Sequence, residues 1–189
     1  MRLEAGHRNS AMTEDLATLL VRPCFQQDLE MVQIIYAHHV LTGTGSFELE
    51  PPSLDTMVER WSHVVSNGWP YFVVSPKSDL TRVMGFAYAA QFRDRPAYRN
   101  CFEVSVYAAP TTMHQGIGTL LLHELLTALR GDGVREVLAL IGDSHNQASI
   151  GLHAKLGFQH VGLLKNVGEK FNRALDVVVM QRTLIPPLV

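Results

Sequence analysis

The sequence predicts a mixed α/β sandwich, a central sheet flanked by helices, in a single domain. Three observations predict it. Apolar residues alternate at period two in short runs and recur at helical spacing in longer ones. The strand-like runs alternate with helices in one half of the chain and pair as hairpins in the other. One stretch, from Glu103 to Leu122, reads as strand, glycine loop and helix in direct succession.

The elements follow in order. Residues 16–21 are expected to form a first strand, closed by Arg22-Pro23. Asp28 caps or opens a helix with Leu29, Val32, Ile35, Tyr36 and Val40 on its apolar face. The segment Thr42-Gly-Thr-Gly-Ser46 ends that helix and reads as a connecting loop, although its glycines also suit an anion. Pro51-Pro52-Ser53 opens a second helix through Leu54, Met57, Val58, Trp61 and Val65, and Asn67-Gly68 closes it. Residues 71–75 and 83–90 form a hairpin across the polar turn at 76–79.

The central strand, 101–108, alternates Phe102, Val104 and Val106 with Glu103, Ser105 and Tyr107, and Pro110 stops it. After Gly116 and Gly118 a helix carries Leu120, Leu121, Leu125 and Leu129. Gly131-Asp-Gly133 marks a turn, and 134–141 is a buried strand of nearly continuous apolar character. A helix over 146–156 ends at Gly157. Strands over 158–164 and 175–184 complete the sheet, with a loop at 166–173 between them. There are no internal repeats and no second domain.

Composition narrows the function. A chain of 189 residues with 47% apolar residues suits one packed core. A net charge of −2 without runs of like charge argues against a nucleic-acid partner, and no apolar run is long enough to cross a membrane. Residues 1–15 mix charged and small residues, lack a signal peptide's apolar segment, and read as a mobile leader or an oligomer arm. Cys24 and Cys101 lack metal-ligand spacing and read as buried thiols in a reducing cytoplasm. Nine histidines form no cluster with acidic partners. His38-His39 reads as helix surface or interface, so no metal is expected.

The stretch after the central strand has a physical use. Backbone N–H groups at a helix start have no intrahelical partner, the helix dipole places positive charge there, and glycines let a ligand come close. Such a turn holds pyrophosphate or another anion, though an ordinary tight turn also accounts for it. The spacing is not that of a P-loop, and the dinucleotide fingerprint would need a glycine in place of Leu121.

Met113-His114-Gln115-Gly116-Ile117-Gly118 resembles the Arg/Gln-x-x-Gly-x-Gly/Ala loop that holds acetyl-coenzyme A in the GNAT N-acetyltransferases. The element order also resembles the GNAT acyl-CoA N-acyltransferase fold. Met113 departs from the pattern because it cannot donate a hydrogen bond to a phosphate; the backbone donors remain, so weaker coenzyme binding is expected. Further segments resemble the phosphinothricin and methionine sulfoximine N-acetyltransferase branch. They are Thr42-Gly-Thr-Gly-Ser-Phe47, Gly68-Trp-Pro-Tyr-Phe-Val73, Gly85-Phe-Ala-Tyr-Ala89, 97–107, 146–158 and 167–176.

The resemblance implies acetyl transfer from acetyl-coenzyme A to the α-amine of a small amino acid or analogue, by a cytoplasmic homodimer. Within it Glu103 is the general base. A carboxylate in an apolar strand costs several kcal/mol unless it is bonded, paired or functional, and an ammonium must lose a proton before it attacks a thioester. A solvent-facing glutamate or an ion pair with an arginine is the plainer account. His153 stands where many members place a tyrosine that protonates the thiolate; it also fits a helix surface or a bond to coenzyme. The coenzyme would lie along Val106, Tyr107 and Ala108, its phosphates at His114, Gln115, Gly116, Ile117, Gly118 and Thr119. Asn146 and Ser149 either touch its pantetheine arm or simply cap a helix. Arg93 and Arg99 would bind an acidic group of the substrate, and Phe171 would wall the pocket. Acetylation of another amine, such as a polyamine or peptide N-terminus, and a non-catalytic acyl-CoA sensor are the alternatives.

Overall fold

The computed structural model describes residues 15–185. The leader expected over 1–15 lies, save Asp15, outside them. One seven-stranded sheet carries the fold, in the spatial order β1-β2-β3-β4-β5-β7-β6. In chain order the strands are β1 (Leu19–Pro23), β2 (Tyr71–Pro76), β3 (Gly85–Gln91), β4 (Cys101–Ala108), β5 (Glu136–Gly142), β6 (Gln159–Lys170) and β7 (Arg173–Thr183). The helices are α1 (Leu29–Thr42), α2 (Leu54–Ser66), α3 (Ile117–Gly131) and α4 (Gln147–Lys155). The order of elements is the expected one.

β4 and β5 are the parallel pair, while the other neighbours run antiparallel. A parallel pair needs a crossover connection, and α3 supplies it. The period of two in β4 then divides the molecule. Phe102 and Val104 face α3 and share a core with Leu121, Leu122, Leu125 and Leu129. Tyr107, like Glu103 and Ser105, points to the opposite face, where α1 and α2 build a separate core from Leu29, Val32, Ile35, Met57 and Phe86.

Several details differ from expectation. Residues 16–18 make a 3₁₀ turn, and β1 runs through Arg22 to Pro23; an edge strand tolerates proline because one side of its ladder is open. β2 extends to Pro76, so the hairpin connection occupies 77–84. On α2 the inward residue is Val64 rather than Val65, which is 36% exposed, because Met57 and Val64 are seven positions apart and share a face. The expected loop at 166–173 is mostly strand. β6 shifts register between Leu164 and Gly168, pairs again from Gly168 with Leu175, and turns at Phe171-Asn172 with φ of 52° and 54°. Positive φ at both central residues is the two-residue hairpin turn that matches strand twist, and a phenylalanine there conceals it from sequence.

Asp28 precedes α1 without capping it through its side chain. Its carboxylate accepts from the Phe25 N–H at 2.8 Å and from both terminal nitrogens of Arg22 at 2.7 Å. That fork ties β1 to the start of α1.

Candidate active site

β4 and β5 pair through Cys101–Glu136, Phe102–Val137 and Glu103–Leu138, and their register stops there. β4 runs on to Ala108 and β5 to Gly142, and the two line a cleft of about 750 Å³. The fork leaves the β5-facing edge of β4 without a strand partner beyond Glu103. An open edge offers N–H and C=O groups to an extended ligand in the manner of an added strand. Val106, Tyr107 and Ala108 all line the cleft.

The far end of the cleft is the start of α3. Gly116 is its N-cap with φ of 85°, a left-handed conformation that glycine adopts without strain. No side chain caps this helix, and its first turn holds no acidic residue. The N–H groups of Ile117, Gly118 and Thr119 therefore face the cleft with the positive helix end behind them. His114 also lines the cleft, with φ of 63°, as does the exposed Met113. Gln115 does not; its amide donates to the Thr111 carbonyl at 3.1 Å. An anion-binding helix end joined to an open strand edge fits a ligand with phosphates at one end and an amide-bearing arm at the other.

α4 forms the side wall. Asn146 caps it, its side-chain oxygen accepting from the Ser149 N–H at 3.2 Å, and both residues line the cleft. One turn later His153 is buried against the Phe158 ring. Its Nδ1 donates to the Ser149 carbonyl at 2.8 Å, while its buried Nε2 has no partner among the described residues. Burial lowers its pKa, and the Ser149 carbonyl only partly offsets that. The proton of the neutral ring thus resides on Nδ1, and Nε2 is an acceptor.

Sequence reasoning missed part of the lining. Gly43, Thr44 and Gly45, in a segment expected to connect α1 and α2 although its glycines also suit an anion, border the cleft. Phe47 explains why the loop folds back so far. Its ring sits against Gly142 of β5 and Gly168 of β6, where any β-carbon would collide with it. Thr44 donates to the Asp143 carboxylate at 3.0 Å; the His145 N–H donates to it as well and is the main reason its pKa is lowered. His39 of α1 reaches the cleft too, donating from Nε2 to the Ala108 carbonyl at 2.8 Å. One signal in the sequence pointed to the 143–146 segment: ligands favour the carboxyl ends of strands in open α/β sheets, and it follows β5 directly.

Glu103 stands at the fork itself. It is half-buried, and its carboxylate has no hydrogen-bond partner among the described residues. Burial raises its pKa, and the nearby Arg93 charge tempers the rise. Arg93 is exposed, its guanidinium 5.1 Å from the centre of the Phe92 ring. Arg99, also exposed, turns back to the Pro96 carbonyl, and Phe171 stands 52% exposed at the β6–β7 tip. The structure thus gathers the expected coenzyme-side residues, except Gln115, and His153 around one cleft and holds Arg93 near Glu103, while Glu103, Arg93, Arg99 and Phe171 are not among the residues that line that cleft.

The chain resembles known proteins over most of its length. The model of the acetyltransferase (GNAT) family matches residues 33–158. A phosphinothricin N-acetyltransferase of Alcaligenes faecalis is 46% identical over 164 residues, 87% of this chain and 82% of that protein. An L-methionine sulfoximine/L-methionine sulfone acetyltransferase of Pseudomonas paraeruginosa is 32% identical, over 88% and 95% respectively. The crystal structure of a phosphinothricin acetyltransferase from Sinorhizobium meliloti in complex with AcCoA superimposes with a TM-score of 0.84 at 40% identity, covering 88% of each chain.

Proposed function

This chain belongs to the GNAT acetyltransferase family, and on that premise we propose that it acetylates the α-amine of a small amino acid or analogue, of the phosphinothricin or methionine sulfoximine type, from acetyl-coenzyme A. The observation that carries the reading is Glu103: a half-buried carboxylate without a hydrogen bond, at the point where β4 and β5 part.

The steps follow from the residues. Phosphates rest on the N–H groups of Ile117, Gly118 and Thr119, and the pantetheine arm lies along 106–108 as an added strand. Glu103 takes a proton from the substrate ammonium, directly or through one water, and its raised pKa makes it a better base than an exposed glutamate. The freed amine attacks the thioester carbonyl, and a backbone N–H of β4 holds the oxyanion. Coenzyme A leaves as thiolate. His153 offers it no proton from Nε2 in the tautomer fixed by Ser149, and with a thiol pKa of about 8.5 the leaving group needs little help. Nε2 instead accepts a hydrogen bond from the bound arm.

β6 supports a homodimer, since Val161, Leu163, Leu164 and Val167 are all at least 39% exposed on an edge strand. The free thiols Cys24 and Cys101 support a reducing cytoplasm, and among the described residues no helix is long and apolar enough to cross a membrane.

The test is release of coenzyme A thiol with acetyl-coenzyme A and a panel of phosphinothricin, methionine sulfoximine, ordinary amino acids and polyamines. Turnover of the amino-acid type, lost in Glu103→Gln, supports the reading. Turnover with polyamines alone overturns the substrate class, and tight coenzyme binding with silence across the panel points to a sensor.

A further inference from the structure

Strand parity fixes which backbone groups of β4 face the open side of the fork. The Phe92 N–H donates to the Cys101 carbonyl and the Ala109 N–H to the Met84 carbonyl, both at 2.9 Å. The β3–β4 register runs between these two bonds without a shift. Successive residues of a strand direct their backbone groups to opposite neighbours, so Glu103, Ser105 and Tyr107 bond toward β3. Val104, Val106 and Ala108 direct theirs toward β5, whose ladder with β4 ends at Glu103–Leu138. Beyond that pair the edge presents the carbonyls of Val104 and Val106 and the N–H groups of Val106 and Ala108. The Ala108 carbonyl belongs to the same row, but His39 of α1 donates to it at 2.8 Å.

His39 is held in that place from both sides. Its half-buried ring lies 5.3 Å from the Tyr107 ring, centre to centre, and it lines the cleft. A carbonyl can only accept, so Nε2 carries the proton and donates it. Burial lowers the pKa of the ring, the Ala108 carbonyl opposes that, and neighbouring His38 adds to it. An extended arm bearing amides pairs with a strand edge in steps of two residues, and a slip of one step moves it by about 7 Å. The backbone itself specifies register weakly, because every step offers the same N–H and C=O groups. A carbonyl already taken does specify it. We propose that His39 is a positioning residue: by occupying the Ala108 carbonyl it ends the edge open to the coenzyme arm, fixes the register of that arm on β4, and so keeps the thioester level with Glu103. The inference rests on acetyl transfer from acetyl-coenzyme A as proposed above.

Two variants separate the hydrogen bond from the packing. His39→Phe keeps a ring against Tyr107 and loses the donor, while His39→Gln supplies an amide N–H in place of Nε2–H. Three measurements are made: kcat with acetyl-coenzyme A and the fastest acceptor of the panel above, calorimetric titration with coenzyme A, and crystal structures of the native chain and His39→Phe with coenzyme A bound. His39→Phe is expected to lower kcat at least about tenfold, the scale on which a displaced reacting group costs rate. Its affinity for coenzyme A is expected to change by less than about threefold, since the lost bond is not made to the coenzyme. His39→Gln recovers most of the lost turnover. In His39→Phe the coenzyme sulfur is expected about 7 Å further along β4 than in the native chain. Unchanged kcat in His39→Phe, affinity that falls in parallel with kcat, or turnover in His39→Gln no better than in His39→Phe overturns the proposal. If the native chain acetylates no acceptor, the acetyl-transfer reading fails separately. The sulfur positions then decide the role of His39: a displaced sulfur supports it, and an unmoved one overturns it.

Discussion

Asp28 and Glu103 are two carboxylates withdrawn from water, and the protein treats them in opposite ways. Asp28, 4% exposed, receives both terminal nitrogens of Arg22 and the Phe25 N–H. Its burial works against ionisation, yet Arg22 and Phe25 outweigh it and hold the carboxyl below the usual range. Glu103 receives no hydrogen bond among the described residues, and burial holds its pKa up. Withdrawal from water disfavours the charged form in both places; the partners decide the sign of the result. A carboxylate saturated with donors is a strut with little basicity left. One left without donors retains its basicity, at a cost in stability to the fold.

That contrast breaks most sharply at Glu103→Gln. Loss of general-base catalysis is expected to lower kcat by about 10²- to 10⁴-fold, measured as coenzyme A release. The same variant is expected to melt at an equal or higher temperature. A folded pKa above the unfolded value contributes stability that is present below the unfolded pKa and lost as pH rises through the folded one. At neutral pH the ionised Glu103 is therefore a cost that glutamine removes. A lower melting temperature with intact turnover would make Glu103 another strut.

Asp28→Ala is expected to do the reverse, destabilising the fold by about 3 kcal/mol in chemical denaturation while the surviving folded enzyme keeps its kcat. A broken buried pair costs roughly 3–5 kcal/mol. The low end applies because Arg22, 11% exposed, keeps the Leu80 and Pro23 carbonyls. Acidity separates the two groups as well. Stability from Asp28 is present above its unfolded pKa and is lost as pH falls through its depressed folded value. The acid limb of kcat/KM, by contrast, is expected above the ordinary glutamate range, since Glu103 must be ionised to act.

Two smaller effects sharpen the comparison. His153→Ala is expected to lower kcat by less than about tenfold, far less than the Glu103 variant, because neutral His153 carries its proton on Nδ1 toward Ser149. Equal losses at the two positions would restore His153 as proton donor. The exposed Arg60–Glu48 pair should couple by less than about 1 kcal/mol in a double-mutant stability cycle, since water screens side chains that are 48% and 33% exposed.

The sequence alone determined the order of the elements, the limits of β4, the glycine turn before α3 and the candidacy of Glu103. These features are local. Period-two alternation delimits a strand, a glycine at a helix start marks the turn, and a carboxylate among strand apolars stands out wherever the strand lies. Tertiary structure decided the rest. The fork of β4 and β5 depends on where a register stops, and Gly43, Thr44 and Gly45 reach the cleft because Phe47 finds two glycines on distant strands. The stack of Tyr71, Phe86 and Tyr88 is assembled by pairing β2 with β3. The stretch 166–173 became a hairpin because β7 supplied a partner, overriding an Asn- and Gly-containing segment that alone reads as loop. Long-range pairing and packing choose among local conformations of similar energy, and a linear pattern contains no record of which distant residue will be the neighbour.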